Sequence, residues 1–242
     1  MQEWFSEIAS AFAQTFIDDD RWQIFLKGFG VTIRVAVLAL LIGIVLGVLV
    51  AIVRTQHDSR RAGTRGVGNV LLNVADAICR LYLTVIRGTP MMVQLMIMYF
   101  VIFSSTRRDI LVAILAFGIN SGAYVAEIVR SGIMSVDQGQ MEAGRSLGMN
   151  YKQTMRHIII PQAIKNILPA LGNEMITLLK DTSLMTVIGA KDLTKAAQTV
   201  QAVTYQAFMP YISIAVIYLV CVIALSKVLG LVERRLRASD RR

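Results

Sequence analysis

The chain has 242 residues, of which 55% are hydrophobic and only 17% are charged. Soluble domains carry about 25% charged residues, so this composition excludes an ordinary soluble protein and predicts one that lies in a lipid bilayer. The formal net charge of +9 could indicate nucleic-acid binding. In a membrane protein, however, basic loops and anionic inner-leaflet lipids account for the same excess. We therefore expect contacts with membrane lipids and no nucleic-acid partner.

Apolar stretches long enough to cross a bilayer follow one another along the chain. A membrane-spanning helix needs roughly 20 mostly apolar residues to cross about 30 Å of hydrocarbon. The predicted spans are residues 31–53, 88–106, 110–129, 166–190 and 207–226. The fourth is the least apolar because Glu174, Lys180 and Asp181 interrupt it. The sequence therefore predicts an all-α membrane protein with about five transmembrane helices.

The distribution of basic residues predicts the orientation of these spans. Lys and Arg near span ends tend to stay in the cytoplasm. Three groups of basic residues would lie on one side of the membrane. They follow the first span (Arg54, Arg60, Arg61, Arg65), lie between the third and fourth spans (Arg130, Arg145, Lys152, Arg156, Lys165) and follow the last span (Arg234, Arg235, Arg237, Arg241, Arg242). Arg107 and Arg108 are a local exception. We expect the N-terminus outside and the C-terminus in the cytoplasm, with an amphipathic outer segment at 1–27, a transmembrane domain at 28–236 and a basic tail at 237–242.

A helix break is predicted at the start of the second predicted span, near residue 90. Asp76 and Arg80 form an i,i+4 pair of opposite charge, typical of an interfacial helix face, and Arg87, Gly88 and Pro90 follow. Proline removes a backbone donor and clashes with the preceding turn, so the helix should end there. Such a break is tolerated where it faces protein or water. These last three residues are candidate hinge or gate residues, and a simple helix restart at the membrane boundary is the alternative.

The polar connection between the third and fourth spans, residues 131–165, carries helix start and stop signals. Ser135 with Gln138 resembles a capping box, and Gly148 is a typical helix stop. Asn150 with Gln153 repeats the start signal. The sequence therefore predicts two short helices joined by a tight turn, on the cytoplasmic side.

The first of these helices contains the run Glu142-Ala143-Gly144-Arg145-Ser146-Leu147-Gly148. Small side chains let another backbone approach closely, so this run indicates a surface for a partner. An ordinary connecting helix is the alternative.

This run resembles a motif of a known family. The loop motif of permease subunits of binding-protein-dependent ABC importers is E-A-A, then G, then I-x-L-P. This chain is similar to it at Glu142-Ala143-Gly144, Gly148, Ile158 and the Ile160-Pro161 pair. Gly144 replaces the usual Ala, and Ile160 replaces the usual Leu. Segments that resemble the polar amino acid branch of this family are 87–90, 123–128, 146–149, 161–163, 173–174 and 179–184. The resemblance covers about residues 28–235.

The resemblance implies a type I ABC importer permease fold and a role in carrying polar amino acids across the bacterial cytoplasmic membrane. Such a permease pairs with an identical or paralogous permease subunit, sits on two cytosolic ATPase subunits and receives cargo from an external binding protein. Its loop run is the coupling helix, which docks in a cleft of the ATPase. On this basis Glu142, Ala143, Gly144, Arg145 and Gly148 are expected at the ATPase interface.

The charged residues of the fourth span are candidates for the substrate path. Ionisable residues inside a membrane usually face a cavity or each other. Glu174 and Asp181 are expected on one face of a helix, with Lys180 close to it, and Glu174 could receive the ammonium group of an amino acid. The alternative is an intramembrane ion pair, with Lys180 and Asp181 structural or part of an outer gate. Asn120 on the third span is a weaker candidate.

Glu127, near the end of the third span, is another weaker candidate for the substrate path, and a boundary ion pair with Arg130 is the alternative.

Other functions are less compatible with the sequence. It lacks a G-x-x-x-x-G-K-[ST] phosphate-binding loop, so we expect no enzyme activity and no cofactor in this chain, with ATP and Mg²⁺ bound by the partner ATPase. His57 and His157 are isolated, so no metal site is expected. A secondary transporter or channel is the main alternative, but the few spans and the missing inverted repeat disfavour it. A membrane-embedded hydrolase is disfavoured because the sequence offers no paired intramembrane Asp motif and no H-E-x-x-H motif.

Overall fold

The computed structural model describes residues 2–58, 67–106 and 108–238, and no strand occurs in these ranges. The helices are α1 (Gln2–Phe12), α2 (Trp22–Asp58), α3 (Val67–Gly88), α4 (Met91–Ile97), α5 (Asp109–Met134), α6 (Gln138–Ser146), α7 (Tyr151–Thr154), α8 (Ile160–Asp181), α9 (Leu193–Thr204) and α10 (Phe208–Ala238). Short π-helical turns lie at Ala13–Ile17, Met98–Ile102 and Met155–Ile159, and 3₁₀ turns at Asp18–Asp20 and Thr182–Ile188. Arg60, Arg61, Arg65, Arg107 and the tail from 239 onward lie outside the described residues.

Four of the helices are long and apolar enough to cross a membrane, namely α2, α3, α5 and α10. The predicted second span, residues 88–106, was wrong in its bounds. The 22-residue helix α3 has the required length, whereas the apolar stretch after Pro90 forms only the shorter helix Met91–Ile102. α3 tolerates its charges because Asp76, which is 3% exposed, accepts a hydrogen bond from Arg80 Nε at 2.7 Å. The expected i,i+4 pair is therefore formed.

The most extensive helix contact joins α2 to α5, and glycines on both helices make it possible. A Cβ atom on Gly47 of α2 would lie 2.6 Å from the Val125 side chain of α5. A Cβ atom on Gly118 of α5 would lie 2.7 Å from Ile42 of α2. Small residues let membrane helices pack closely where lipid removes the hydrophobic driving force for association. This packing holds α5 firmly against α2.

The two ends of the bundle are distinct. At one end, which we call the α6 end, Arg130 Nη2 donates to Asp58 Oδ2 at 3.1 Å and joins the end of α5 to the end of α2. At the opposite end, the α9 end, the backbone N–H of Leu193 donates to Thr32 Oγ1 at 3.2 Å. The α6 helix and the start of α9 therefore lie at opposite ends of the same long helix, α2.

The amphipathic N-terminal segment packs against the α9 end. The ring of Phe16 lies 5.0 Å from the rings of both Phe12 and Phe25. Gln206 Nε2 donates to Gln14 Oε1 at 2.8 Å, which joins this segment to the turn before α10. α2 begins at Trp22, so the expected domain boundary at 27/28 lies inside α2.

Candidate functional site

The N-terminus of α6 is capped by a residue that the sequence reasoning did not select. The backbone N–H of Gly139 donates to Asp137 Oδ1 at 2.7 Å, which makes Asp137 the N-cap. The predicted capping box at Ser135 is wrong, because α5 continues to Met134 and Ser135 lies too early. Ser135 Oγ instead accepts a hydrogen bond from Asn166 Nδ2 at 2.8 Å, which joins the end of α5 to α8.

The C-terminus of α6 follows the sequence prediction. Gly148 has a φ of +80°, the left-handed conformation that favours glycine. The N–H of Gly148 donates to the carbonyl of Arg145 at 2.9 Å, and the N–H of Met149 donates to that of Gly144 at 3.1 Å. These two bonds satisfy carbonyls at the helix end and fix the direction in which the chain leaves it.

The helix that follows begins with the predicted capping box. Gln153 N–H donates to Asn150 Oδ1 at 3.0 Å, and Asn150 N–H donates to Gln153 Oε1 at 2.9 Å. The second short helix is not separate, however. α7 continues without interruption through the π-helical turn Met155–Ile159 into α8. The α6 segment is therefore attached directly to the base of a long helix.

The small residues of α6 serve different purposes. Gly144 is buried, and a Cβ atom there would lie 2.6 Å from Thr154 Cγ2, so its size lets α6 pack on α7 of the same chain. Gly148 is needed for its backbone conformation. Glu142, Ala143 and Arg145 are exposed. Gly144 is therefore covered within this chain, and the expected contact of this run with an ATPase stays a prediction.

A cleft separates the other side of α6 from the bundle. It has a volume of about 530 Å³ and lies between α6 and the ends of α2 and α5. Its lining includes the ion pair of Asp58 and Arg130, together with Met134, Met141 and Met155. Methionine side chains adapt to changes in packing, so this lining suits a helix that changes position.

A second site lies along one face of α3. Arg80, Thr84 and Arg87 follow i, i+4, i+7 spacing and therefore share that face. Together with Arg54 of α2 and Glu127 of α5 they line a pocket of about 460 Å³. A charged stripe on a helix of membrane-spanning length faces protein or water rather than lipid. This pocket is therefore the candidate wall of an aqueous path.

The charges in this pocket are organised across helices. Arg87 Nη1 lies 3.3 Å from Glu127 Oε1, and the Arg87 guanidinium lies 5.9 Å from the centre of the Tyr124 ring. The predicted pair of Glu127 with Arg130 is wrong, because Arg130 pairs with Asp58. Arg87 and Gly88, predicted as hinge residues, both line the pocket.

The four residues predicted for the substrate path do not form one site. Glu174 Oε1 accepts a hydrogen bond from Ser121 Oγ of α5 at 2.7 Å. Lys180 lies in a different pocket at the α9 end, next to Tyr211 and Tyr218. Its expected proximity to the Glu174 face is wrong, because six residues of helix rotate a side chain by about 600°, or about 120° from the starting face.

The other two predicted path residues lie at separate places. Asp181 is the last residue of α8. Asn120 is 8% exposed and donates from Nδ2 to Gln94 Oε1 at 2.9 Å, which places it beside the α3–α4 break.

Sequence reasoning missed the roles of Arg54, Arg80, Thr84 and Gln94. The stripe on α3 follows i, i+4, i+7 spacing, but the opposite-charge pair of Asp76 and Arg80 favours an interfacial helix face there. Nothing near Gln94 in the sequence indicates its contacts. Among the described residues, no group of three or more His, Cys, Asp or Glu side chains could hold a metal ion.

The fold and these sites define a multi-pass membrane subunit of a transport system. It has a charged pocket on α3 and a short exposed helix, α6, at one end of the bundle. Residues 66–238 match the family described as binding-protein-dependent transport system inner membrane component, and the chain belongs to this family. It is similar to the arginine transport system permease protein ArtQ of Bacillus subtilis, with 36% identity, covering 89% of this chain and 93% of that protein. It is also similar to the glutamine transport system permease protein GlnP of Escherichia coli K12, with 36% identity, covering 88% of this chain and 92% of that protein.

Solved structures agree with this assignment. An amino acid ABC transporter crystallised with histidines has a chain 43% identical to this one, with a TM-score of 0.78, covering 88% of this chain and 94% of that chain. An inward-facing MetNI methionine ABC transporter has a TM-score of 0.73 at 19% identity, covering 91% of this chain and 99% of that chain. This likeness shows the fold alone.

The chain is therefore the permease subunit of an ATP-driven ABC importer, and it resides in the inner membrane. It is a transport subunit rather than an enzyme, and its family implies an ATPase and a binding protein as partners. The alternative of an ion-driven secondary transporter or channel is thereby set aside.

Proposed function

We propose that this permease carries polar amino acids into the cytoplasm and that α6 is the helix through which an ATPase subunit drives it. The arginine and glutamine permeases it resembles support this class of cargo. The observation that carries the coupling role is the geometry of α6. Both ends of this helix are fixed by caps, its buried glycine packs on the base of a long helix, and Glu142, Ala143 and Arg145 remain exposed.

The proposed assembly has two ATPase subunits, a second permease that is identical or paralogous, and an external binding protein. ATP and Mg²⁺ are bound by the ATPase, and this chain holds no cofactor. The α6 end faces the cytoplasm and the α9 end faces the binding protein. Five spans result if α3 and Met91–Ile102 form one broken span and α8 forms another, with the N-terminus outside and the C-terminus inside.

In this proposal the pocket on α3 lines the cargo path. Guanidinium groups of Arg54, Arg80 and Arg87 suit a carboxylate, and the carboxylate of Glu127 suits an ammonium group. An amino acid carries both groups. The bond from Ser121 to Glu174 supports a structural role for Glu174, while Asn120, Lys180 and Asp181 stay candidates for gating.

The coupling role is tested by Glu142→Lys in the purified complex with its ATPase. The complex is reconstituted in liposomes, and the binding protein is added on the side that the α9 end faces. We expect ATP-driven uptake to fall at least tenfold while membrane insertion and thermal stability stay unchanged, because Glu142 is exposed in this chain. The matched control is Lys227→Glu, a charge reversal at an exposed residue of α10, which should leave uptake unchanged. Normal uptake by Glu142→Lys would remove Glu142 from the coupling role.

The path is tested by Glu127→Gln, with uptake of labelled arginine, glutamine and glutamate as the measurement. Loss of a hydrogen bond to a charged group costs about 1.5–3 kcal/mol, so we expect the half-saturating cargo concentration for uptake to rise about tenfold or more. Glu174→Gln is the control and should change this value less than twofold. The proposed cargo class is contradicted if none of the three amino acids is taken up by the unsubstituted complex.

A further inference from the structure

The break between α3 and α4 leaves backbone carbonyls without their usual donors. α3 ends at Gly88, and Pro90, with φ −64° and ψ 136°, precedes α4. Proline has no N–H, so the carbonyl of Ile86, four residues earlier, loses the donor that a continuous helix would supply. Inside a membrane protein an unsatisfied carbonyl is costly, and a partner must come from elsewhere.

The side chain of Gln94 supplies that partner. Its Nε2 group donates to the carbonyl of Ile86 at 2.7 Å, a contact that reaches back eight residues across the break. The same group lies 3.0 Å from the carbonyl of Thr89 and 2.7 Å from its hydroxyl. One amide thus replaces the missing backbone donor and joins the end of α3 to the first turn of α4.

The other half of the Gln94 amide points to a third helix. Its Oε1 atom accepts from Nδ2 of Asn120 at 2.9 Å, and Asn120 is a nearly buried residue of α5. This contact contributes nothing to satisfying the carbonyls of the break. It instead holds the break in a fixed position relative to α5, which is packed closely on α2 and leads directly to α6.

We propose that Gln94 is a positioning residue that transmits the movement of α5 to α4. α5 connects the break to α6, because Asn120 lies roughly 20 Å from the end of the helix at a rise of 1.5 Å per residue. When α6 is displaced by the ATPase, α8 moves with it and carries α5 through the bonds of Asn166 to Ser135 and of Ser121 to Glu174. Asn120 moves with α5, and the Gln94 amide then moves the α4 half of the broken span. The inference rests on the proposed role of α6 and adds the element that α6 drives.

The contact between Asn120 and Gln94 is tested in the reconstituted complex with Asn120→Ala, which removes the link to α5 and leaves the Gln94 donors in place. We expect uptake to fall five- to tenfold while ATP hydrolysis changes less than twofold, so the number of cargo molecules carried per ATP falls. Asn120→Asp, which keeps the size but offers no amide donor, should behave in the same way. Equal losses of uptake and hydrolysis would overturn the proposal, because they would indicate a damaged complex rather than lost transmission.

A double substitution distinguishes loss of the link between α5 and α4 from a general loss of permease stability. Gln94→Ala and Asn120→Ala remove the same link, so the pair should lower the cargo carried per ATP no further than Gln94→Ala alone. Independent, multiplying losses would contradict the proposal. The matched control is Thr177→Val, which removes a side-chain hydrogen bond of 3.2 Å to Asn173 within α8 and should leave cargo per ATP unchanged.

The displacement itself is measured with spin labels at Val93 of α4 and Leu41 of α2, both exposed, after Cys79 and Cys221 are replaced by Ser. We expect the distance between the labels to change on ATP binding in the complex, and this change to be lost with Asn120→Ala. A change that persists would overturn the proposal. Failure of the proposed function would differ, since the complex without substitutions would then hydrolyse ATP without uptake.

Discussion

α6 and the α3–α4 break both expose helix ends, yet the groups that satisfy those ends come from different distances along the chain. At α6 the partners are neighbours in sequence, with Asp137 at the start and Gly148 at the end. At the break the carbonyl of Ile86 is satisfied by Gln94, eight residues away, and the same side-chain amide accepts a hydrogen bond from Asn120 on another helix. A helix whose end groups are hydrogen-bonded by its own flanking residues keeps its shape when it moves. A break whose bridging side chain is hydrogen-bonded to another helix changes when that helix moves.

This difference suits the two regions to different tasks. A rigid α6 can receive a displacement without absorbing it, because its caps and the close contact of Gly144 with Thr154 leave little internal freedom. The break can respond, because its geometry depends on a side-chain amide that also contacts α5. The following predictions test whether each region behaves in this way.

The largest expected effect is that of Gly144→Leu, which should abolish the rigid attachment of α6. The new side chain has no space against Thr154 and Ile158, and overpacking of this kind costs about 1–3 kcal/mol. We expect uptake to fall more than tenfold and the thermal stability of the permease to fall as well. Uptake in proteoliposomes and thermal unfolding in detergent measure these effects.

Gly30→Leu is the matched control, because a Cβ atom at Gly30 meets nothing within 4 Å. It should leave uptake unchanged and should not lower the thermal stability of the permease. If Gly144→Leu also left both unchanged, α6 would not depend on its packing against α7.

A smaller effect is expected from Pro90→Ala, which should make the break independent of Gln94. The new N–H at position 90 can donate to the carbonyl of Ile86, so the Gln94 donor becomes redundant. Gln94→Ala should cost about 1–3 kcal/mol with Pro90 present, the penalty of an unsatisfied buried group, and less than about 1 kcal/mol in the Pro90→Ala background. Unfolding of the four variants in detergent measures this difference, and equal costs in both backgrounds would show that Gln94 does not replace the proline donor.

The smallest expected effect is that of Gly148→Ala at the end of α6. A left-handed conformation costs a residue with a Cβ atom about 1–2 kcal/mol, so local stability of this turn should fall by that amount. Gly148→Asn should cost less, because asparagine tolerates this conformation. Hydrogen exchange of the Gly148 and Met149 region measures the change. A change that spread through α5 and the break would contradict the view that α6 is completed locally.

Several features could be predicted from the sequence because their causes are local. The 55% hydrophobic content placed the chain in a membrane. Pro90 predicted the break, Gly148 predicted the end of α6, and Asn150 with Gln153 predicted the next helix start. Each of these depends on backbone chemistry within a few residues. The loop run at 142–148 and its flanking segments also identified the family correctly.

Other features required the tertiary structure, because they depend on which helices lie side by side. Glu127 pairs with Arg87 rather than with Arg130, and Glu174 accepts from Ser121, a residue 53 positions away. Gly144 was expected to face a partner but packs within the chain, since only the position of α7 decides which side of α6 is covered. The sequence by itself determined the break at Pro90, the end of α6 at Gly148 and the helix start at Asn150. Packing between helices determined which charges meet, because helical periodicity assigns a residue to a face but leaves open what that face will contact.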